Sequence, residues 1–121
     1  MPSDALAPGD VVEVALGRVL PPGHEQAGTR PAVVVGLPSP PLRYPVLLVV
    51  PLTTQYGAWV EANQRVYPKL AASAAGLRAR SVALCDQIRT CDARRIRGYL
   101  GTLDKASYAS VQQGVREVLA L

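Results

Sequence analysis

The chain has 121 residues, of which 49% are hydrophobic and 18% are charged, and this composition predicts one globular domain rather than a disordered chain. No apolar run approaches the ~18 residues of a membrane-spanning helix, and the first residues do not read as a secretory signal, so we expect a cytoplasmic protein that does not contact a membrane. The net charge of +4 is uneven, because residues 61–121 hold ten Lys or Arg against five acids. Such an arginine-rich half suits either a polyanion such as nucleic acid or an ordinary solvated face.

The sequence predicts short strands separated by turns and loops. Six segments rich in aliphatic residues are predicted as strands: 11–16, 31–37, 46–52, 66–70, 81–88 and 96–103. Three segments rich in Pro, Gly or polar residues are predicted as turns or loops: 17–29, 38–45 and 56–63. Residues 71–80 indicate no particular element.

The apolar period changes near the C-terminus and indicates a helix. Apolar side chains recur there at steps of three and four residues: Tyr108, Val111, Val115, Val118 and Leu119. This spacing is typical of an amphipathic helix, and Asp104 is its predicted N-cap. Five or six short strands followed by one helix favour a mainly β domain over residues 1–121, a small barrel or rolled sheet covered by that helix.

The two cysteines are predicted to be small buried residues rather than a functional pair. On one strand, Cys85 and Cys91 would lie ~20 Å apart at ~3.3 Å per residue, which is too far for a disulfide. A zinc site is not expected, because the chain has one histidine and no closely spaced cysteine pair.

The loop at residues 23–31 collects more chemically versatile side chains than the other connections. It holds His24, Glu25, Gln26 and Arg30 between two predicted strands. Loops on a rigid scaffold often carry functional residues, although a merely solvated hairpin would have the same composition. It is not a nucleotide-binding phosphate loop, since its Gly-x4-Gly spacing is not followed by Lys-Ser or Lys-Thr.

Two further segments place polar residues beside apolar strands. Asp86 lies in the apolar segment 81–88, which would put its carboxylate in partly desolvated surroundings, a common setting for a functional acid. Thr53 and Thr54 end the strand at 46–52, where a hydroxyl could bind a phosphate oxygen or, as such residues more often do, cap a turn.

Taken together and in this order, these segments resemble the PemK/MazF family of type II toxin endoribonucleases. GHEQAGTRP at 23–31 is similar to the signature loop of the PemK branch, and VPLTT at 50–54 and CDQIRT at 85–90 recur at the corresponding places. GDVV at 9–12 is similar to the family's opening strand. The resemblance runs from about Gly9 through the last helix.

The resemblance implies a fold, an activity and partners. The fold is a small SH3-like β-barrel of the PemK/MazF/CcdB type with a C-terminal helix, acting as a homodimer. The activity is sequence-selective cleavage of single-stranded RNA, usually mRNA, without a metal or another cofactor. The partners are the RNA and a cognate antitoxin that blocks the site.

The resemblance also assigns residues. The catalytic positions of the family fall on Arg30, its hydroxyl partner Thr53, the loop residues His24 and Glu25, and Asp86. Residues beside them are expected to bind substrate: Gln26, Thr54, Gln87 and Arg89. One position departs from the PemK branch, because Leu84 stands where that branch has an arginine attributed to proton donation, so this role is unassigned here.

Metal-free RNA cleavage needs three kinds of group, and the chain offers each. A base must take the proton of the attacking 2′-OH, and either Asp86 or Glu25 could do so. A donor must protonate the leaving 5′ oxygen, and His24 is of the right type because imidazole exchanges protons near neutral pH. Arg30 can bond two oxygens of the crowded phosphate, and Thr53 can hold a non-bridging oxygen.

Two other functions stay open at this point. The first is a non-catalytic toxin of the same fold that poisons DNA gyrase, which would not need these side chains together. The second is an RNA-binding barrel whose nuclease activity has decayed, suggested by Leu84. Four aromatic residues are candidates for stacking on RNA bases, for packing or for a dimer contact: Tyr44, Tyr56, Trp59 and Tyr67.

Overall fold

The computed structural model describes residues 6–18, 20–21, 23–37 and 45–121, and within them the chain forms seven strands and two α-helices. The elements follow in chain order: β1 (Asp10–Ala15), β2 (Thr29–Gly36), β3 (Val46–Thr53), α1 (Ala58–Ala62), β4 (Lys69–Leu70), β5 (Ser81–Ala83), β6 (Arg89–Asp92), β7 (Ile96–Thr102) and α2 (Lys105–Leu119). Three single 3₁₀ turns lie between them: Ala74–Gly76, Cys85–Gln87 and Ala93–Arg95.

The strands form one curled antiparallel sheet in the order β4-β5-β3-β2-β1-β7. Along one edge, β3 pairs with β6 through Val46–Val49 and then with β5 through Leu52 and Thr53. Register shifts interrupt the pairing of β1 with β7 and of β2 with β3, and such irregularities increase the local twist of a sheet. This curled sheet with its C-terminal helix confirms the predicted mainly β fold.

The central strands β1, β2 and β3 send apolar side chains to both faces of the sheet, which explains their consecutive valines and leucines. Neighbouring residues of a strand point to opposite faces, so Val12 and Val34 enter one apolar cluster while Val11 and Val33 enter the other. The second cluster is closed by α2, whose Val111 is fully buried. The helix begins at the predicted cap, because the Asp104 carboxylate accepts a hydrogen bond of 2.7 Å from the Ser107 amide.

A glycine lets α2 lie close to the rest of the domain. A Cβ added at Gly114 would lie 2.5 Å from the Cys85 Sγ and 2.8 Å from the Arg65 carbonyl oxygen. A helix-interior glycine is normally unfavourable, so here it is explained by close contact with the turn at Cys85–Gln87. Cys85 and Cys91 are both buried and free, as predicted.

Several boundaries differ from the prediction. The segment 56–63, predicted as a loop, contains α1, and β6 was not predicted at all. The strand predicted at 81–88 ends at Ala83, because the chain turns there to bury Leu84 and Cys85 against different neighbours. Most of the turn predicted at 38–45 lies outside the described residues.

Candidate active site

Four segments that are distant in the sequence meet around one open pocket with a volume of about 450 Å³, which we call the Arg30 pocket. Ten residues line it: His24, Gln26, Arg30, Thr53, Gln55, Trp59, Tyr67, Leu84, Asp86 and Gln87. Four of the five residues predicted to be catalytic therefore share one pocket, together with two of the four predicted to bind substrate.

The first wall of the Arg30 pocket comes from the loop before β2. Gly17 and Gly28 close the base of this loop, since the Gly28 amide donates to the Gly17 carbonyl at 2.9 Å and the Leu16 amide donates to the Gly28 carbonyl at 2.8 Å. Both glycines have positive φ, at 79° and 77°, a conformation that other residues rarely adopt. The closed base leaves His24 exposed at the edge of the pocket.

Arg30 belongs to β2 itself rather than to the loop. Its position is extended, as the following Pro31 favours, and it pairs with Val14 of β1. The side chain is half-buried, and its Nε donates to the Ala27 carbonyl oxygen at 3.1 Å. This bond orients the guanidinium in the pocket. Arg30 is the one arginine or lysine among the lining residues that the structure describes.

Gln87 fastens the loop to the opposite wall. Its Oε1 accepts a hydrogen bond of 2.7 Å from the Gln26 amide, and its Nε2 donates to the His24 carbonyl oxygen at 3.2 Å. Arg89 also contacts this backbone, with its guanidinium donating to the Gln26 carbonyl oxygen at 3.5 Å. Two residues predicted to bind substrate are therefore used to hold the loop that carries His24.

The second wall is the turn at Cys85–Gln87, whose buried side is part of the core. Leu84 and Cys85 are buried, and the Cys85 thiol donates to the Val111 carbonyl oxygen of α2 at 3.6 Å. Burial, with a smaller contribution from the charge of Asp86, raises the pKa of the Cys85 thiol to about 12. The thiol is therefore protonated at neutral pH and serves as a packing group rather than a nucleophile.

Asp86 is exposed, which corrects the predicted setting of this residue. It was expected inside an apolar strand, but it lies on a 3₁₀ turn with its side chain in the open pocket. The prediction failed because its apolar neighbours are buried by the turn and not by strand alternation. Instead of desolvation, a hydrogen bond defines its environment: the Tyr67 hydroxyl donates to the Asp86 Oδ2 at 2.6 Å.

Two aromatic residues complete this side of the pocket. The rings of Trp59 and Tyr67 meet edge to face, with centroids 4.9 Å apart and planes at 85°. The hydrogen bond to Asp86, followed by burial and the charge of Asp86, raises the pKa of Tyr67 to about 12. The sequence suggested both residues as candidates for stacking on bases, for packing or for a dimer contact. The contact between Tyr67 and Asp86 joins residues 19 positions apart and has no sequence signal.

Three predicted site residues lie elsewhere or act locally. The Thr53 hydroxyl lines the Arg30 pocket, but it also accepts a hydrogen bond of 3.0 Å from the Gln55 amide, the turn-capping contact considered above. Thr54 lines a separate cavity of about 280 Å³, because adjacent residues of an extended chain point to opposite sides. Glu25 is exposed and is not among the lining residues.

The position of Leu84 is apolar in the structure as in the sequence. Its side chain is 3% exposed and packs with Val60 and Val82 while reaching the pocket wall. It supplies no proton donor.

Across the described ranges, no three His, Cys, Asp or Glu side chains come together as a metal site would require. Neither described helix has the length and apolar character of a membrane span.

The comparison with protein families identifies the class of this protein. A model described as the PemK-like, MazF-like toxin of type II toxin-antitoxin systems matches residues 7–119. The chain therefore belongs to the PemK-like, MazF-like toxin family, as its motifs indicated.

Solved structures show the same fold over nearly the whole chain. MazF from Deinococcus radiodurans (Form-I) is 23% identical, with 96% of this chain and 97% of that chain covered and a TM-score of 0.68. An endoribonuclease in complex with its cognate antitoxin, from a mycobacterial species, is 18% identical, with 96% of each chain covered and a TM-score of 0.69. The Mycobacterium tuberculosis toxin MazF-mt6 is 16% identical, with coverage of 95% and 98% and a TM-score of 0.64. A sequence search of curated proteins found no match.

Proposed function

We propose that this chain is a metal-independent, sequence-selective endoribonuclease that cuts single-stranded RNA, mRNA above all, in the cytoplasm as the toxin of a type II toxin-antitoxin system. The observation that carries the proposal is the gathering of His24, Arg30, Thr53 and Asp86 around one open pocket. A gyrase poison would have no need for these four side chains in one place. The family assignment and the endoribonuclease neighbours support the same function.

The proposed reaction begins with the 2′-OH of the RNA as the nucleophile. Asp86 takes the proton of this hydroxyl, and the 2′ oxygen forms a bond to the adjacent phosphorus as the bond to the 5′ oxygen breaks. We assign the base to Asp86 rather than to Glu25, because Asp86 shares the pocket with Arg30 while Glu25 lies outside the lining. A general base of this kind contributes ~10²–10⁴ in rate.

The remaining side chains serve the phosphate and the leaving group. Arg30 binds the non-bridging oxygens, whose charge grows in the transition state, and Thr53 adds a hydroxyl contact. His24 protonates the departing 5′ oxygen, a role made necessary by Leu84, which cannot donate a proton. The products are a 2′,3′-cyclic phosphate and a 5′-hydroxyl. The cation is supplied by the chain itself, and this is the basis for proposing cleavage without a metal.

Trp59 provides a surface for an RNA base next to the reacting phosphate. It is 44% exposed although it lines the pocket, which is unusual for so large an aromatic side chain. Stacking of a base on an exposed ring contributes ~1–3 kcal/mol, and it tolerates several bases. We therefore expect hydrogen-bonding groups of the pocket, such as the side-chain amide of Gln55, to select the RNA sequence.

The function is tested by cut-site mapping on a long RNA of mixed sequence, with purified protein in EDTA. We expect cuts at one short recurring motif, at the same rate with and without the chelator. A DNA supercoiling assay with gyrase is run on the same preparation. Inhibition of gyrase by a folded protein that cuts no RNA would establish the alternative function instead.

We propose a homodimer and an antitoxin as the protein partners. Structures of MazE-MazF from Deinococcus radiodurans and of a mycobacterial endoribonuclease with its antitoxin set the precedent for the antitoxin, and the family resemblance implies the homodimer. The surplus of basic residues in 61–121 favours an antitoxin with an acidic segment. Light scattering at micromolar concentration should report a dimer, and the protein encoded beside this chain should stop RNA cleavage when added. A monomer, or binding without inhibition, would contradict this proposal.

A further inference from the structure

The side chain of Tyr67 is held against Asp86 by the backbone on both sides of it. The Cys85 amide donates to the Val66 carbonyl oxygen at 3.3 Å, and the Ala83 amide donates to the Pro68 carbonyl oxygen at 3.0 Å. These two bonds fix the chain just before and just after Tyr67 to the strand and turn that lead to Asp86. The distance of 2.6 Å between the Tyr67 hydroxyl and the Asp86 Oδ2 therefore follows from paired backbone.

The ring of Tyr67 is constrained as well. Trp59 of α1 packs edge to face against it, and the Tyr67 amide donates to the Asn63 carbonyl oxygen at 3.0 Å. Asp86 itself is exposed, and a free exposed carboxylate samples several rotamers. The constrained phenol thus gives a direction to a side chain that would otherwise be loosely oriented.

We propose that Tyr67 is a positioning residue for RNA cleavage, whose hydroxyl holds one oxygen of the Asp86 carboxylate so that the other faces the 2′-OH of the substrate. This inference rests on the proposed function, in which Asp86 is the base. Tyr67 does not itself touch the reacting atoms in this role. Its hydroxyl occupies Oδ2, which leaves Oδ1 to receive the proton.

The phenol stays a donor under working conditions. Its pKa of about 12 means that the hydroxyl is protonated throughout the neutral range. Arg30 and His24 line the same pocket but belong to the other wall, whereas Tyr67 contacts Asp86 itself. This arrangement separates orientation of the base from binding of the phosphate.

The test is the variant Tyr67→Phe, which keeps the ring and its contact with Trp59 and removes only the hydroxyl. If Tyr67 positions the base, we expect kcat to fall by roughly 10-fold to 10²-fold with KM nearly unchanged, because a misplaced catalytic group costs up to ~10² in rate. Tyr99→Phe is the matched control, since the Tyr99 hydroxyl is also hydrogen-bonded, to Thr102, but lies on β7 away from the pocket. The control should cut RNA at the wild-type rate.

A double-mutant cycle with Asp86→Asn separates positioning from other roles. When Asp86 no longer accepts a proton, Tyr67→Phe should have almost no further effect on kcat. Three results would each overturn the inference while leaving the proposed function intact. They are a wild-type kcat for Tyr67→Phe, a rise in KM alone, and an undiminished effect of Tyr67→Phe in the Asp86→Asn background. A wild-type chain that cuts no RNA would overturn both.

Discussion

The two walls of the Arg30 pocket are built in different ways. The turn at Cys85–Gln87 backs onto the core, where Cys85 is fully buried beneath α2 and Gly114 permits their close approach. The loop that carries His24 is exposed, and hydrogen bonds hold it: those at its glycine base, those from the side-chain amide of Gln87 and one from the Arg89 guanidinium. Asp86, the proposed base, therefore lies on a wall fixed by packing, while His24, the proposed proton donor, lies on a wall fixed by a few hydrogen bonds.

The exposed wall therefore takes its geometry from the packed one. Gln87 belongs to the turn, yet both ends of its amide bind the loop backbone. A substitution on the loop should lower the rate of RNA cleavage with little effect on the stability of the fold. A change behind the turn should alter stability first and activity second.

The largest effect is expected at His24 on the exposed wall. His24→Ala should lower the rate of RNA cleavage by ~10²–10⁴, the range for one general acid, without a change in the unfolding midpoint. His24→Gln should not restore activity, because an amide can donate a hydrogen bond but cannot transfer a proton. Rate–pH curves for the wild type and His24→Gln are the measurement. Curves with identical limbs would mean that His24 only binds phosphate.

Arg30, at the junction of the loop and the sheet, should come next. Arg30→Ala should lower cleavage by ~10²–10³, as expected for one electrostatic donor to a developing charge. The fold should persist, because the side chain is half-buried and its one hydrogen bond in the described structure is to Ala27. Arg116→Ala, an exposed arginine of α2, is the control for net charge. Equal activity of the two variants would refute the role of Arg30.

Gln87 tests the link between the two walls. Gln87→Leu removes both hydrogen bonds to the loop and should lower cleavage by ~10–10², the cost of misplacing His24 by about an ångström. Hydrogen exchange of the Gln26 amide, which Gln87 now protects, should accelerate in the same variant. The exposed Gln112→Leu on α2 is the matched control. If the Gln26 amide exchanges faster in Gln87→Leu but RNA cleavage is undiminished, the hydrogen bonds from Gln87 to the loop are not needed for activity.

The smallest effect on activity is expected behind the packed wall. Gly114→Ala should destabilise the protein by ~1–3 kcal/mol, because its Cβ would press on the Cys85 sulfur and the Arg65 carbonyl. Helix propensity alone predicts the opposite sign, a gain of ~1 kcal/mol. Urea unfolding therefore gives a clear answer. A more stable Gly114→Ala would contradict the close packing of α2 on the turn.

The sequence predicted those parts of the fold that rest on a strong local pattern. β2 and β3 have runs of consecutive branched-aliphatic residues, β1 has three valines within four residues, and α2 has both a clear period and the Asp104 cap. The five residues of α1 are too few to establish a period, and the loop prediction at 56–63 was wrong for that reason. β6 is partly exposed, and pairing with β3 defines it rather than its own composition.

The sequence predicted which residues line the Arg30 pocket better than it predicted the contacts that these residues make. The motifs identified His24, Arg30, Thr53 and Asp86, and the structure places all four on one pocket, although their catalytic roles stay predictions. The partner of Asp86 was not predictable, because Tyr67 reaches it only through the pairing of segments distant in the chain. For the same reason the amide of Gln87 was predicted to bind substrate, whereas it binds the loop.

If both walls of the Arg30 pocket act together on a 2′-OH nucleophile without a metal, the chemical groups at the ends of the RNA fragments must show it. The measurement is the 3′-terminal group of fragments made by the purified protein in EDTA. We expect 2′,3′-cyclic phosphates, and no cleavage at the same position when that one ribose carries a 2′-O-methyl group. Fragments that end in a 3′-hydroxyl, or cleavage that disappears with the chelator, would contradict it.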